Sequence, residues 1–493
     1  MSNQQSSYRQ IMKATSLFGG VQVFNIIIAI VRSKFIALLL GPAGMGIAGL
    51  LNSTTGLISA LTNFGLSTSG VRNIASANAS GNELRIAKVI TILRRWVWVT
   101  GTLGTIVMIA LSPLLSQLTF GNRQYTWAFI WISITLLFTQ LSTGQLVILQ
   151  GMRKLHYMAK ASLAGSAFGL IITLPLYYKF GIDAIVPAII ITSLISLLLS
   201  YYFARKVALL PVKVSRVRTF AEGKNMLIMG FMISFSGLIS LGVSYILSIY
   251  ISNTGGVAQV GLYAAGFSII NTYVGLIFTA MGTDYYPRLS AVANDNKLCK
   301  ETINQQAEIA LLILSPIIMV FLVFIQWVVI IIYSSKFAAV DTMIHWAALG
   351  MLFKAVSWPI GFIILAKGDS KTFFWNELIT NIYLLALNII GYRIMGLTGL
   401  GISFMIVYLL YLVQVYVLAK IKYQFSFDAE FIKIFCIQFL LAISCFIVIN
   451  YITKPNSYFI GICFIALSGW FSYKELDKRL GIKLIVKKIL NKA

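Results

Sequence analysis

Three cations lie inside long apolar runs of this chain: Arg32, Lys34 and Lys354. A charge at the middle of a bilayer costs about 2.5–3.5 kcal/mol on the insertion scale. A retained cation is therefore expected to face a hydrated cavity. Arg32 shares a helical face with Gln22, Asn25 and Ala29. Lys34 lies about 200° around the helix from Arg32 and is placed to snorkel toward the outer interface. Lys354 shares a face with Gly350, Ser357 and Gly361. Further polar stripes run through Asn52, Thr55, Ser59 and Thr62, through Gly237, Ser240, Ser244 and Ser248, and through Ser268, Asn271 or Thr272, Gly275 and Thr279. A single stripe of small or hydroxylated residues is more often a helix-packing surface, but packing does not account for a full cation. Three acids near span ends, Glu377, Asp284 and Glu308, read either as structural ion pairs or as groups that couple transport to protons.

The elements that must position these residues are membrane spans. The chain has 493 residues, of which 58% are apolar and 11% charged, and its mean hydropathy is +0.86. A soluble domain carries about a quarter of its residues as charges. The apolar runs are long enough to cross about 30 Å of hydrocarbon. They predict an all-α polytopic protein with about fourteen spans, the first at 14–40 and the last two at 431–450 and 457–473. No loop is long enough to form a domain of its own, which argues against a membrane enzyme with a soluble catalytic part.

The net charge of +25 raises the question of nucleic acid, but the position of the charge excludes it. Lys and Arg sit in short segments between the spans. Thirty-one of them fall on one side under strict alternation and five on the other. The positive-inside rule then predicts that both termini are cytoplasmic. Eight of the nine tryptophans lie near span ends, as an interfacial belt requires, and Trp358 is the exception. Cys299, Cys436, Cys445 and Cys463 have no pairing or metal-ligand spacing, so no disulfide, metal or cofactor is expected.

One offset recurs along the chain. Gly46 and Gly261 are 215 residues apart, as are Gly181 and Gly396, and Tyr201 and Tyr416. This internal repeat predicts two six-helix lobes related by a pseudo-twofold axis: an N-lobe at 1–206 and a C-lobe at 224–421. A basic cytoplasmic linker, 207–223, joins them. Two additional helices and a basic tail follow at 422–493. Polar faces at equivalent places in both halves suggest a hydrated cavity between them.

Several segments resemble a known family. LLLGPAGMGIAGL (38–50), NFGLSTSGVRNIAS (63–76), YPRLSAV (286–292) and YSSKFAAVDTMIHWAALGMLFKAVSWPIGFIILAKGDS (333–370) are similar to segments of Wzx-type lipid-linked oligosaccharide flippases. These share the MOP exporter superfamily with MurJ and MATE transporters. The resemblance covers roughly residues 14–420. It implies translocation of an undecaprenyl-pyrophosphate-linked oligosaccharide from the cytoplasmic to the periplasmic leaflet, by alternating access through a cationic central cavity. It also implies partners among membrane lipids and other polysaccharide-assembly membrane proteins. Arg32 and Lys354 would then hold the diphosphate, and Asn25, Asn52 and Asn271 would contact sugar. The fourteen spans depart from the twelve of many Wzx proteins and match MurJ, where two added helices shape a lipid groove. The alternative is a MATE-like cation-coupled multidrug exporter, which the cationic character of the deep charges disfavours.

Overall fold

A computed structural model describes residues 24–207 and 212–480. Gln22, the linker residues 208–211 and the end of the basic tail lie outside them. Every regular element among the described residues is helical. Ten helical segments are long and apolar enough to cross a bilayer, so the chain is a multi-pass membrane protein.

The chain divides into two compact units, Met1–Gly261 and Leu262–Ala493. The first holds α1 (24–39), α2 (Gly41–Thr62), α3 (Leu66–Ala79), α4 (Glu83–Phe120), α5 (Thr126–Ile132), α6 (Ile134–Gly151), α7 (Leu155–Phe180), α8 (Ile185–Arg205) and α9 (Arg216–Gly255). Here α6 packs on α4 and α8, and α7 packs on α8. The basic segment expected to be linker up to 223 is already helical from Arg216. Its helix, α9, packs on α2, α3 and α4. Lys88 pairs with Glu222 at 2.5 Å, and Arg95 donates to the carbonyl of Val214 at 2.8 Å.

α10 (Val257–Ser268) leads into the second unit, which holds α11 (Gly275–Ala291), α12 (Asn296–Ile332), α13 (Asp341–Ala366), α14 (Ser370–Tyr423), α15 (Ala429–Tyr451) and α16 (Asn456–Leu480). α12 is the hub against which α13, α15 and α16 pack. Trp358 is no interfacial anchor: its ring packs edge-on or tilted within the unit, 4.8 Å from Phe362 and 5.6 Å from both Phe278 and Tyr285.

The 215-residue offset reappears in the backbone. Shifting Thr126–Gly151 by that amount gives the bounds of α13, and shifting α7 gives 370–395, the first arm of α14. α14 breaks at Met395 and Gly396, as α7 ends at Gly181. Gly181 has φ 57° and ψ −131°, and Gly396 has φ 56° and ψ −134°. A side chain is strained in that region, so glycine stands at both breaks. The two arms of α14 then meet at Gly391 and Gly399, where a Cβ on either would collide with the other's carbonyl oxygen.

The far ends of the two arms are clasped by Asp369. Its carboxylate accepts from the Thr372 amide at 3.1 Å, the Thr372 hydroxyl at 2.7 Å, the Lys422 amine at 3.0 Å and the Tyr423 hydroxyl at 3.2 Å. The bonds from Thr372 and Lys422 hold this carboxyl well below the usual carboxylate range.

Two outcomes are expected. Gly399→Val overpacks the hairpin and should cost about 1–3 kcal/mol, read as a lower thermal midpoint of the purified protein. Gly49→Val and Gly237→Val, which meet open space, should change it little. Asp369→Asn should lower the midpoint at pH 7. Because the folded carboxyl is depressed, the clasp is fully present above the unfolded value of about 3.9 and lost as pH falls through the folded one. The gap between wild type and variant should therefore narrow below about pH 4, and a pH-independent gap would refute the clasp.

Candidate functional site

Small residues on α7 let α1 lie close against it. The Asn25 amide donates to the Ser162 hydroxyl at 3.2 Å. Two turns further along α1, the Arg32 guanidinium reaches the carbonyl of Ser166 at 3.5 Å. A Cβ on Gly169 would stand 3.0 Å from the same guanidinium nitrogen, so the missing side chain is what leaves room for it. The Nε of Arg32 is buried without a hydrogen-bond partner. Arg32 makes no ion pair among the described residues.

The guanidinium opens into a cavity of about 550 Å³ walled by α2, α6, α7 and α8. Asn52, Thr55 and Ser59 come from α2, Thr139 and Ser142 from α6, Ser162 and Ser166 from α7, and Ser193 and Ser196 from α8. Arg32 is the one charged residue among the described lining residues. Several of these hydroxyls donate to their own helix one turn back, as Thr55 does to Leu51 at 2.8 Å and Ser196 to Thr192 at 2.9 Å. Each keeps acceptor lone pairs and can rotate to donate elsewhere. The wall is thus wettable, weakly committed and arranged round one fixed positive charge. It suits a polyhydroxylated or anionic guest.

The structure brings Arg32 and Asn52 into this cavity, with Asn25 behind it through Ser162. Lys354 and Asn271 belong to the second unit. The Lys354 amine sits 5.0 Å from the ring centre of Tyr408 and 5.7 Å from that of Phe278, and it makes no ion pair among the described residues. Ring faces attract the ammonium without cancelling its charge. Asn271 is exposed in a π-helical turn, Ile269–Val274. Glu308 bonds Arg479 at 2.6 Å, and Arg479 also holds Glu475 and Glu430. Glu377 has no ion pair among the described residues. The side chain of Asp284 lies outside those described.

Sequence reasoning missed most of the wall on α6, α7 and α8. The signal was present: Thr135, Thr139 and Ser142, then Ser162 and Ser166, then Thr192 and Ser196, recur at helical spacing. The 215-residue offset shows what the second unit does with the same positions. Thr139 maps to Lys354, Ser162 to Glu377, Gly165 to Thr380, Ser193 to Tyr408 and Ser196 to Tyr411. At four of these five positions the first unit keeps a small hydroxyl and the second carries a large or charged side chain; Gly165 to Thr380 is the exception. Beside them Gln414 donates to Asn376 Oδ1 at 2.8 Å and to Thr380 at 3.3 Å.

Comparison with known proteins agrees with this architecture. The profile of the family described as "Polysaccharide biosynthesis protein" matches residues 35–342. A putative O-antigen transporter of Shigella flexneri is 25% identical over 352 residues, 70% of this chain and 82% of that protein. A lipid III flippase of Escherichia coli K12 is 20% identical over 353 residues, again 70% and 82%. Among solved structures, the lipid II flippase MurJ in an inward closed conformation superimposes with TM-score 0.72 at 14% identity, covering 95% of this chain and 99% of that one. An inward-facing MATE family multidrug transporter of the MOP superfamily gives 0.64 at 16% identity, covering 82% and 94%. The fold is that of the MurJ and MATE transporters, and with a family profile spanning more than half of its length, the chain belongs to the polysaccharide biosynthesis protein family.

Proposed function

We propose that this protein is a flippase that moves an undecaprenyl-pyrophosphate-linked oligosaccharide from the cytoplasmic to the periplasmic leaflet of a bacterial inner membrane. The observation that carries this reading is the Arg32 cavity: one uncompensated cation in a wall of hydroxyls. An unpaired sugar hydroxyl costs several kcal/mol in hydrocarbon, and a hydroxyl-lined path removes that cost while the polyprenyl tail stays in lipid. A guanidinium binds phosphate oxygens bidentately. The family match and the O-antigen transporter relative support the same cargo.

In this reading the chain has fourteen spans in two six-helix lobes, 1–206 and 224–421, with two further helices, and both termini are cytoplasmic. Alternating access exposes the cavity to each leaflet in turn. Lys354, held against ring faces, is a second contact for the diphosphate, with Asn25, Asn52 and Asn271 on sugar. Glu377 and Asp284 are the acids proposed for coupling, because Glu308 is already engaged by Arg479. A MATE-like drug exporter would need an acid in the cavity to attract cationic drugs, and the cavity holds a cation instead.

The test is complementation of a strain lacking this gene. Arg32→Ala and Lys354→Ala should each cut surface glycan at least tenfold with membrane protein unchanged, as losing a charge-assisted bond of about 1.5–3 kcal/mol implies. Arg32→Lys should retain part of it. Gly169→Val leaves the charge in place but intrudes on the guanidinium, and should mimic Arg32→Ala. Normal export by both alanine variants would sink the site assignment, and drug resistance without glycan export would favour the MATE-like reading.

A further inference from the structure

A second opening, of about 700 Å³, lies between the two arms of α14. Its mouth carries two lysines, Lys371 near the start of the first arm and Lys422 near the end of the second. Beside the mouth stands Trp375, 52% exposed, and beyond it Ile379 and Val413, 50% and 53% exposed. Such exposure on a spanning hairpin turns these walls outward, toward lipid. Ile379 is eight residues from Lys371 and Val413 nine from Lys422, so the groove runs roughly 12 Å along the helices from cations to apolar wall. That is the length of a phosphate headgroup and the first part of its chains. A tryptophan at headgroup level is the usual membrane anchor.

We propose that this groove is a binding site for one anionic phospholipid. Its phosphate sits between Lys371 and Lys422, and its chains run along Ile379, Val413 and Val417. A soluble anion has no use for the apolar wall. A zwitterionic lipid brings a cation of its own to a mouth that is already positive. Lys371 has no ion pair among the described residues, whereas Lys422 shares its charge with Asp369 at 3.0 Å. A lysine near an anionic lipid surface gives about fivefold in affinity. The expected preference over a neutral headgroup is therefore about fivefold from Lys371 alone and about thirtyfold if Lys422 contributes fully. The site is independent of the proposed cargo, because it uses neither Arg32 nor Lys354.

The test uses the purified full-length chain, titrated with phosphatidylglycerol or chain-matched phosphatidylcholine and read by native mass spectrometry. Wild type should hold one phosphatidylglycerol at least fivefold more tightly than phosphatidylcholine. Lys371→Gln should remove about fivefold, and Lys371→Gln with Lys422→Gln should bring the two lipids level. Lys371 lies outside the Asp369 clasp, so the single variant remains informative if the double variant is unstable. Brominated phosphatidylglycerol should quench fluorescence in wild type that is missing from Trp375→Phe. Equal affinity for the two lipids, or no loss in Lys371→Gln, would overturn the proposal. So would undecaprenyl phosphate displacing phosphatidylglycerol at lower concentration, which would make the groove a carrier-lipid site.

Discussion

A guanidinium buried among spanning helices must be solvated by something. A carboxylate would do it at close range, and it would also cancel the charge. In the first unit the guanidinium instead reaches the Ser166 carbonyl and opens into a cavity lined by hydroxyls. Those hydroxyls can line an opening because each one that donates to its own helix already satisfies its proton. The hydroxyl wall can then stand without a guest, while the Nε of Arg32 stays without a partner. The small residues of α7, above all Gly169, let the guanidinium reach that field.

The second unit solves the same problem differently. Lys354 is held by the faces of Tyr408 and Phe278, which attract a cation through their quadrupoles. Tyr408 and Tyr411 stand where the first unit has Ser193 and Ser196. One helical framework, with the same glycine break at Gly181 and Gly396, therefore carries an open hydroxyl-lined space in one copy and a ring-and-amide cluster in the other. Among the described residues neither cation is paired with a carboxylate, which is the common requirement for meeting an anion.

Much of this was legible in the sequence. Long apolar runs announce spans, because hydrocarbon leaves the backbone no other partner than itself. The face shared by Asn25 and Arg32 was readable, and so was Asn52. The offset between Gly181 and Gly396 was visible before any backbone angle. Other features were hidden for physical reasons. A stripe of serines looks the same whether it packs or lines a cavity, so the α6, α7 and α8 walls were not singled out. Nothing in any one stripe marked the cavity that α2, α6, α7 and α8 enclose within the first unit. Glu308 and Arg479 are 171 residues apart, and nothing local marks them as partners. Trp358 broke the interfacial pattern because it belongs to a ring cluster, and α9 begins at Arg216, inside what composition marks as linker.

The hydroxyl wall has an evolutionary consequence. A rotating hydroxyl can donate or accept, so inverting one stereocentre of a guest costs it on the order of one hydrogen bond, about 1 kcal/mol. Such a surface keeps little memory of any particular epimer. For the proposed cargo, a lineage could change the sugars on its coat, as cells under pressure from phage or immunity do, and keep the same export machine with few substitutions in it.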